Sequence, residues 1–242
     1  HLHPRDFLLK EMTSPADIIA EFDRLGPWVT RFNIAGQQLG GEYDAASDTR
    51  LNAYLQRFTR VSRVLELGCL EGGHTSVLAR HADQVTAIDS RKENIDRAKF
   101  VVQCQQLANV TFHVLDLETE SIESLGKHDV VFNVGVLYHL PDPWNLLERI
   151  ARSAKGMFLW THVAPWRWSN VRKSGFRGQF YDEGGRSDPL SGMSPQSFWP
   201  TRSSLMAMLR ATGFGDIEVI EDDVNHPHGP AILLACQSYL FR

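Results

Sequence analysis

Cysteine is scarce in this 242-residue sequence, which has three of them, Cys69, Cys104 and Cys236. All three fall in stretches that we predict to be core elements, so we expect reduced, buried thiols of the kind found in cytoplasmic proteins. No group of cysteines and histidines has the spacing of a zinc site. The short segment His226-Pro227-His228 is predicted to be a loop. The sequence therefore predicts no metal centre.

Long apolar runs are missing as well, and none of those present would span a bilayer. No secretory signal is visible. Hydrophobic residues make up 43% of the chain and charged residues 22%, which is the composition of an ordinary globular protein. We expect a cytoplasmic protein with no membrane partner, and the length suits one sizeable domain with a short extension.

A strong excess of one charge is the third absence. The formal net charge is −4, which creates no global field that would attract a polyanion. A local basic cluster contains Arg167, Arg172, Lys173 and Arg177. Such a cluster can contact RNA phosphates, and it can equally hold one small carboxylate. The charge balance favours a small-molecule partner over a nucleic acid.

Strand-like and helix-like segments alternate along most of the chain. The predicted strands are 63–68, 84–89, 110–116, 129–135, 157–163, 217–221 and 231–237. The predicted helices are 75–81, 93–107, 144–154 and 202–212, with Ser90 capping the second and Gly213 ending the fourth. This alternation indicates a doubly wound α/β fold, in which helices cover both faces of a mainly parallel seven-stranded sheet. We expect the ligand crevice beyond the carboxyl ends of the strands, beside the first strand.

The most informative stretch is VLELGCLEGGHT at 64–75. An apolar run carries an acid, Glu66, a glycine-bearing turn follows, and a helical segment begins at once. Such a strand–loop–helix unit lets a ligand approach the backbone. A carboxylate here repels a pyrophosphate but attracts a cationic or amino-bearing ligand, so Glu66 beside Gly68 favours S-adenosylmethionine (SAM) over NAD or ATP. Leu70 replaces the middle glycine of a full fingerprint, and the alternative is a turn that binds no ligand.

Residues 66–69 and the glycines after them resemble motif I of the class I SAM-dependent methyltransferases. The next two predicted strands end in Asp89 and Asp116, and the segment HDVVFNVGVLYHLPDP at 128–143 closely resembles the fourth-strand motif of many such enzymes. The resemblance covers roughly 63–238. It implies a Rossmann-like methyltransferase fold that uses SAM and releases S-adenosylhomocysteine (SAH).

The resemblance also implies roles for individual residues. Glu66 and Gly68 would lie near the methionine part of SAM, Asp89 would bind the ribose hydroxyls, and Asp116 would face the adenine amino group. The full set of predicted cofactor-binding residues is Glu66, Gly68, Cys69, Leu70, Gly72, Asp89, Ser90, Asp116, Leu117, Asn133, Val134 and Tyr138.

Two segments do not fit the core of residues 61–242. Residues 1–60 are predicted to form an N-terminal helical cover. Residues 164–200 are predicted to be an inserted lid over the acceptor, because long connections in compact domains are often functional. The predicted acceptor-binding residues of this insertion are Trp166, Trp168, Arg172 and Tyr181. The alternative is that its aromatic residues pack the insertion onto the sheet.

Methyl transfer from SAM needs an aligned nucleophile, and a hydroxyl acceptor also needs a base. His139, just beyond the fourth strand, is the first candidate base, because the ordinary pKa of histidine is close to neutrality. His162, at the end of the fifth strand, is the second. Tyr138 is predicted to line the methyl pocket or to position a ligand. The alternative for His139 is a structural role.

The favoured function is O-methylation of a small molecule by SAM, in the tailoring of a natural product or a sugar. One alternative is a tRNA wobble-uridine methyl or carboxymethyl transferase. The carboxymethyl enzymes use carboxy-SAM, and Tyr138 matches a tyrosine of theirs. Carboxy-SAM is less favoured because the region after Pro27-Trp28 offers Arg31 but no lysine. A second alternative is a SAM-fold protein that binds its ligand without catalysis.

Overall fold

The structure is a computed structural model, and it describes residues 14–241. The first thirteen residues of the predicted N-terminal cover lie outside the described residues. Within the described part, the strands are β1 (Arg31–Ile34), β2 (Gln37–Gly40), β3 (Val61–Leu67), β4 (Ala82–Asp89), β5 (Val110–Val114), β6 (His128–Val134), β7 (Ala154–His162), β8 (Val171–Lys173), β9 (Phe176–Asp182), β10 (Gln196–Pro200), β11 (Phe214–Asp223) and β12 (Ala231–Ser238). The α-helices are α1 (Pro15–Leu25), α2 (Thr49–Arg57), α3 (Gly73–Leu78), α4 (Lys92–Cys104), α5 (Pro143–Ser153) and α6 (Arg202–Thr212).

Seven strands form the central sheet in the order β11-β12-β7-β6-β3-β4-β5. The pairs from β7 to β5 are parallel, while β12 pairs with both of its neighbours in antiparallel fashion. This confirms the predicted seven-stranded, mainly parallel α/β fold. All seven predicted strands and four predicted helices are present, and their ends differ from the predicted ones by at most three residues.

The chain reverses its direction of travel across the sheet beside β3. After β3 it adds β4 and then β5 on one side, and it returns to the other side for β6. In the register, Glu66 of β3 lies between Ala87 of β4 and Phe132 of β6. A crevice therefore opens beyond the carboxyl ends of β3, β4 and β6, where open α/β sheets bind ligands.

The predicted end of one helix is present in the structure, and the predicted cap of another is not. Gly213 ends α6 in the left-handed region, at φ 116°, as predicted. The predicted cap at Ser90 is wrong: the N-cap position of α4 is Arg91, and it makes no side-chain capping bond. The Asp89 carboxylate acts there instead, accepting from the backbone N–H of Arg91 at 2.9 Å and from Asn94 Nδ2 at 3.0 Å.

The described part of the N-terminal extension contains α1 and α2, and between them a two-stranded hairpin, β1–β2, that was not predicted. Glu71, a buried residue of the glycine loop, fastens this extension to the sheet. Its carboxylate accepts from the backbone N–H groups of Val29 at 3.0 Å and Thr30 at 2.8 Å. The extension therefore reaches the same crevice that the glycine loop borders.

The insertion at 164–200, predicted to be a lid over the acceptor, contains a three-stranded antiparallel sheet ordered β10-β9-β8. Phe198 of β10 is fully buried in the main hydrophobic cluster. This part of the insertion is packed onto the core, as the alternative interpretation holds. None of the helices within residues 14–241 is long and apolar enough to cross a membrane.

Candidate active site

A cavity of about 370 Å³ lies beyond the carboxyl ends of the central strands. Its walls come from the glycine loop, the ends of β4, β5 and β6, the N-terminal extension and the insertion. Ten predicted site residues line it: Gly68, Cys69, Leu70, Asp89, Ser90, Asp116, Leu117, Val134, Tyr138 and His139. Its size is typical of a small-molecule site.

Two glycines shape this cavity. Gly68 has φ 67°, and a Cβ there would lie 2.5 Å from the side chain of Val136, so a larger residue would clash. Gly135 has φ 87°, and a Cβ there would meet no atom within 4 Å. Because Gly135 is on the cavity wall, the missing side chain leaves room for a ligand.

Asp89 closes the far side of the glycine loop. Its Oδ2 accepts from the backbone N–H of Leu70 at 3.0 Å. Burial raises the pKa of this carboxyl, and its hydrogen bonds from Arg91, Asn94 and Leu70 oppose the rise. Three protein donors leave part of the carboxylate's accepting capacity for ligand hydroxyls.

Glu66 lies beneath the loop and not on the cavity wall. It is 1% exposed, and its Oε2 accepts from Thr75 Oγ1 at 2.5 Å. Burial raises its pKa to about 8, so the carboxyl is mainly protonated at neutral pH. A neutral carboxyl buried beneath the loop lacks the negative charge that was expected to attract the ligand, and Glu66 instead supports the loop from below.

Gly72 and Asn133 are also off the wall. At Gly72 a Cβ would lie 3.1 Å from the backbone of Ala98, so the glycine allows α3 and α4 to approach closely. Asn133 is fully buried, and its Nδ2 contacts Met157 Sδ at 3.7 Å.

A polar network that was not predicted covers another side of the cavity. Asp48 accepts from Tyr43 Oη at 2.5 Å and from Arg50 Nη2 at 2.6 Å, and its Oδ2 lies 2.9 Å from His74 Nε2. Burial alone would raise the pKa of Asp48, but these hydrogen bonds hold it well below its usual range. Tyr43, Arg50 and His74 line the cavity and offer it hydrogen-bonding groups.

A segment of the insertion, residues 189–193, closes over the cavity. Arg91 Nη2 donates to the carbonyl oxygens of Asp188 at 2.7 Å, Gly185 at 2.9 Å and Ser191 at 3.1 Å. One guanidinium from the start of α4 thus holds the covering segment. The remaining wall residues that were not predicted are Thr30, Gly73, Leu115, Glu118, Gly135, Val136 and Leu140.

His139 joins the covering segment to the end of β6. Its Nδ1 lies 2.9 Å from Glu183 Oε2, which also accepts from Ser191 Oγ at 2.5 Å and from the backbone N–H of Gly192 at 2.8 Å. Burial would raise the pKa of Glu183, but these hydrogen bonds lower it to about 2. The carboxylate therefore fixes His139 and the segment together.

Tyr138 is half-buried on the same wall, and burial raises its pKa to about 12. At neutral pH its phenol is protonated, so the Tyr138 hydroxyl has a proton that it can donate in a hydrogen bond.

His162 lies on the wall of a second cavity of about 570 Å³. Arg50 and Tyr138 line both cavities, so the two adjoin. His226 and His228, on the predicted loop, also line the second cavity. No group of three or more potential metal ligands is present among residues 14–241.

The predicted acceptor-binding residues lie on neither of these two walls. Trp166 and Trp168 are 64% and 75% exposed, and Arg177 covers the Trp166 ring at 4.6 Å. Arg172 donates to the carbonyl oxygen of Gly175. Tyr181 stacks on Trp199 at 3.9 Å between ring centroids.

The seven-stranded sheet, the acid at the end of β4 and the covered crevice beside β3 define a class I, Rossmann-like methyltransferase fold. A family model described as a methyltransferase domain matches residues 59–179, which is half of the chain. The chain belongs to this methyltransferase family.

Solved structures extend the comparison over the whole fold. The N-terminal domain of EvdMO1, crystallised in the presence of SAH and D-fucose, is 30% identical with a TM-score of 0.83, covering 94% of this chain and 97% of that chain. Against the larger EvdMO1 structure the match covers 48% of that chain, with a TM-score of 0.72.

A ubiquinone biosynthesis O-methyltransferase from Coxiella burnetii is 31% identical over 107 residues, 44% of this chain and 45% of that protein. One from Acinetobacter baylyi is 27% identical over 86 residues, 36% of each protein. The chain thus matches less than half the length of these curated relatives.

Proposed function

We propose that this protein transfers the methyl group of SAM to a hydroxyl oxygen of a small, sugar-like acceptor. The observation that carries the proposal is the first cavity, in which Asp89, Asp116 and the glycine loop meet beside β3. Its residues fit SAM: Asp89 keeps accepting capacity for ribose hydroxyls, and Leu115 and Leu117 offer an apolar wall for adenine.

The relatives support both the reaction and the kind of acceptor. The names of the curated relatives specify O-methyl transfer, and EvdMO1 was crystallised with SAH and a sugar. The free thiols of Cys69, Cys104 and Cys236 suit the reducing cytoplasm.

The protein's part in the reaction is to bind, to orient and to manage one proton. When bound, SAM supplies a methyl group on a sulfonium, whose carbon–sulfur bond breaks as the new carbon–oxygen bond forms, with the electron pair left on sulfur. The segment 189–193 excludes water from the crevice. The hydroxyl proton must pass to a base, and the candidates are His139 and His162.

Calorimetric titration with SAM and SAH tests the cofactor site. Asp89→Ala is expected to weaken binding by roughly 1–3 kcal/mol, because polar groups of ligand and loop lose their acceptor. Glu93→Gln, an exposed carboxyl on α4, serves as the control and should bind SAH as the wild type does. Unchanged affinity in Asp89→Ala would refute the assignment.

The alternatives have distinct outcomes in the same assay. SAM binding without methyl transfer to any sugar would favour a non-catalytic binding protein. Tighter binding of carboxy-SAM than of SAM, with transfer to tRNA, would favour the tRNA wobble-uridine alternative. No observation of the structure favours either one over the small-molecule reaction.

A further inference from the structure

We propose that the second cavity is the acceptor site, that it takes an uncharged sugar ring, and that His162 accepts the proton of the reacting hydroxyl. This inference rests on the proposed function and names the substrate class and the proton acceptor of that same site.

The second cavity is in the right position to hold an acceptor. It lies at the carboxyl end of β7, which supplies Trp160 and His162, and under the loop between β11 and β12. Arg50 and Tyr138 line both cavities. A ligand in the second cavity therefore lies directly beside one in the first, as a transfer between two bound molecules requires.

The surroundings of His162 fix which of its ring nitrogens carries the proton. Its Nδ1 lies 2.9 Å from the carbonyl oxygen of Gly229, which can only accept a hydrogen bond. The proton is therefore on Nδ1, and the lone pair is on Nε2. Burial lowers the pKa of His162, so the ring is neutral at neutral pH. No hydrogen bond occupies Nε2 among the described residues, and it is free to accept a proton.

The position of the His162 ring is fixed on several sides. It stacks on Trp199 with the centroids 4.7 Å apart and an interplanar angle of 8°. Gly229 has φ 110°, and a Cβ there would lie 3.0 Å from the Trp199 ring, so the loop whose carbonyl accepts the Nδ1–H hydrogen bond is itself closely packed. A fixed ring with one free nitrogen is well suited to act as a general base.

The charged groups on the wall of the second cavity favour an uncharged ligand. Arg50 is already paired with Asp48 at 2.6 Å. Glu221 and Asp223 line the same cavity, together with His226 and His228, and neither carboxylate forms a salt bridge among the described residues. Their negative charge disfavours a carboxylated or phosphorylated acceptor. Carboxylates accept hydrogen bonds from hydroxyl groups, and Trp160 and Leu233 supply an apolar surface for the ring carbons.

These features together describe a ligand with many hydroxyls, an apolar face and no negative charge. In the reaction, the acceptor oxygen forms a bond to the methyl carbon, and its proton moves to Nε2 of His162. The resulting imidazolium then releases that proton to water after the product leaves.

A pair of matched sugars tests the charge argument. D-fucose and D-galacturonate share ring configuration and differ at C6, where one has a methyl group and the other a carboxylate. We expect SAH-saturated protein at pH 8 to bind D-fucose at least tenfold more tightly than D-galacturonate. Saturation-transfer NMR measures both affinities without any need for turnover.

Two variants test whether Glu221 and Asp223 cause the discrimination between the two sugars. Glu221→Gln combined with Asp223→Asn should reduce the discrimination between the two sugars, while Glu218→Gln, on the same strand but paired with Arg57, should leave it unchanged. Equal binding of both sugars by the wild type, or equal discrimination in the double variant, overturns the charge assignment.

The role of His162 is tested through its nitrogen atoms. Long-range ¹H–¹⁵N NMR should show the Nδ1–H tautomer, with an Nε2 shift that moves on addition of D-fucose. His162→Asn keeps a donor near Gly229 and removes Nε2, so it should retain SAH and D-fucose binding. In methyl transfer from SAM to D-fucose, the kcat of His162→Asn should be at least a hundredfold lower than that of the wild type. The fall in rate at low pH, which protonation of His162 causes in the wild type, should be absent from the variant.

The two proposals fail in different ways. Absence of SAH binding by the wild type refutes the proposed function itself. SAH binding without D-fucose binding overturns the acceptor site, and an Nε2–H tautomer at His162 overturns its role as the base. Both of these outcomes leave the cofactor assignment in place.

Discussion

At the residue scale, the charge state of Glu66 has consequences for stability. This carboxyl lies in the sheet core with one hydrogen-bond partner, Thr75, and burial raises its pKa to about 8. In the unfolded chain it titrates near the ordinary glutamate value of about 4.3. Between these two values the folded state binds one more proton than the unfolded state, so the stabilisation present below pH 4 is lost as pH rises through the folded pKa.

We predict that the Glu66 contribution makes the free energy of unfolding of the wild type fall between about pH 5 and pH 8, by up to ~1.4 kcal/mol per pH unit. Glu66→Gln keeps the shape and cannot ionise, so its stability should fall less over the same range. Urea denaturation at several pH values measures both proteins. Parallel curves for the two would show that Glu66 is ionised in the native state. Glu42→Gln, an exposed carboxyl, is the control.

At the element scale, the insertion is divided into a packed part and a covering part. Phe198 in β10 is fully buried in the main cluster, whereas Trp166, before β8, is 64% exposed. The same insertion therefore contributes to the core and also supplies the segment 189–193 that covers the first cavity.

We predict that Phe198→Ala lowers the free energy of unfolding by about 3–5 kcal/mol, because it removes a buried ring and leaves a void. Trp166→Ala should cost less than about 1 kcal/mol, since the ring is mainly exposed and contacts Arg177 through a cation–π interaction. Thermal or urea unfolding compares the two. A small effect at Phe198 would contradict the packed position of β10.

The covering segment gives a second prediction at this scale. Arg91 donates to the carbonyl oxygen of Ser191 within the segment and to those of Gly185 and Asp188 just before it, and Arg91→Lys replaces the forked guanidinium with a single ammonium. We expect faster amide hydrogen exchange across 185–193 and faster dissociation of SAH. Lys92→Ala, which removes a neighbouring exposed pair with Asp96, is the control and should change neither. Unchanged exchange in Arg91→Lys would show that other contacts hold the segment.

The elements that could be predicted from sequence are those with a strong periodic pattern. The apolar runs around Leu65 and Val131 specify buried parallel strands, and the acid at Asp89 marks a strand end at the crevice. The hairpin β1–β2 was not predicted, because its strands are only four residues long and β2 is mainly polar and exposed, so that the alternation of β1 is too short to stand out.

The unpredicted parts of the site have a different cause. Tyr43 and Asp48 come together with His74 because long-range contacts, among them the hydrogen bonds of Glu71, hold the extension against the glycine loop. No local pattern signals such long-range contacts. A pairing of the acidic Asp48 with Arg50 two residues later is visible in sequence, but its position at the cavity is not.

At the scale of the whole molecule, the net charge of −4 provides no general attraction for a polyanion. The basic cluster of Arg167, Arg172, Lys173 and Arg177, which could contact RNA phosphates or one small carboxylate, is partly occupied within the protein. Lys173 pairs with Asp142 at 2.9 Å, and Arg177 covers Trp166 and donates to the carbonyl oxygen of Ser169. Arg172 remains mainly exposed, with Arg167 beside the exposed tryptophans. Few cations are therefore free to meet phosphates.

We predict that this protein binds bulk tRNA weakly at low salt and that the binding vanishes near physiological salt. Affinity that depends on phosphate contacts falls with salt in proportion to the number of phosphates neutralised, so two or three free cations give a shallow slope from a weak start. Fluorescence anisotropy with labelled tRNA over a salt series measures both quantities. Arg167→Gln combined with Arg172→Gln should abolish the residual binding while leaving SAH affinity unchanged, which separates this surface from the cofactor site. Tight tRNA binding with a steep salt dependence, lost in that double variant, would contradict the small-molecule proposal and favour an RNA acceptor. In that case the free cations would be sufficient to hold a nucleic acid against the protein's net negative charge.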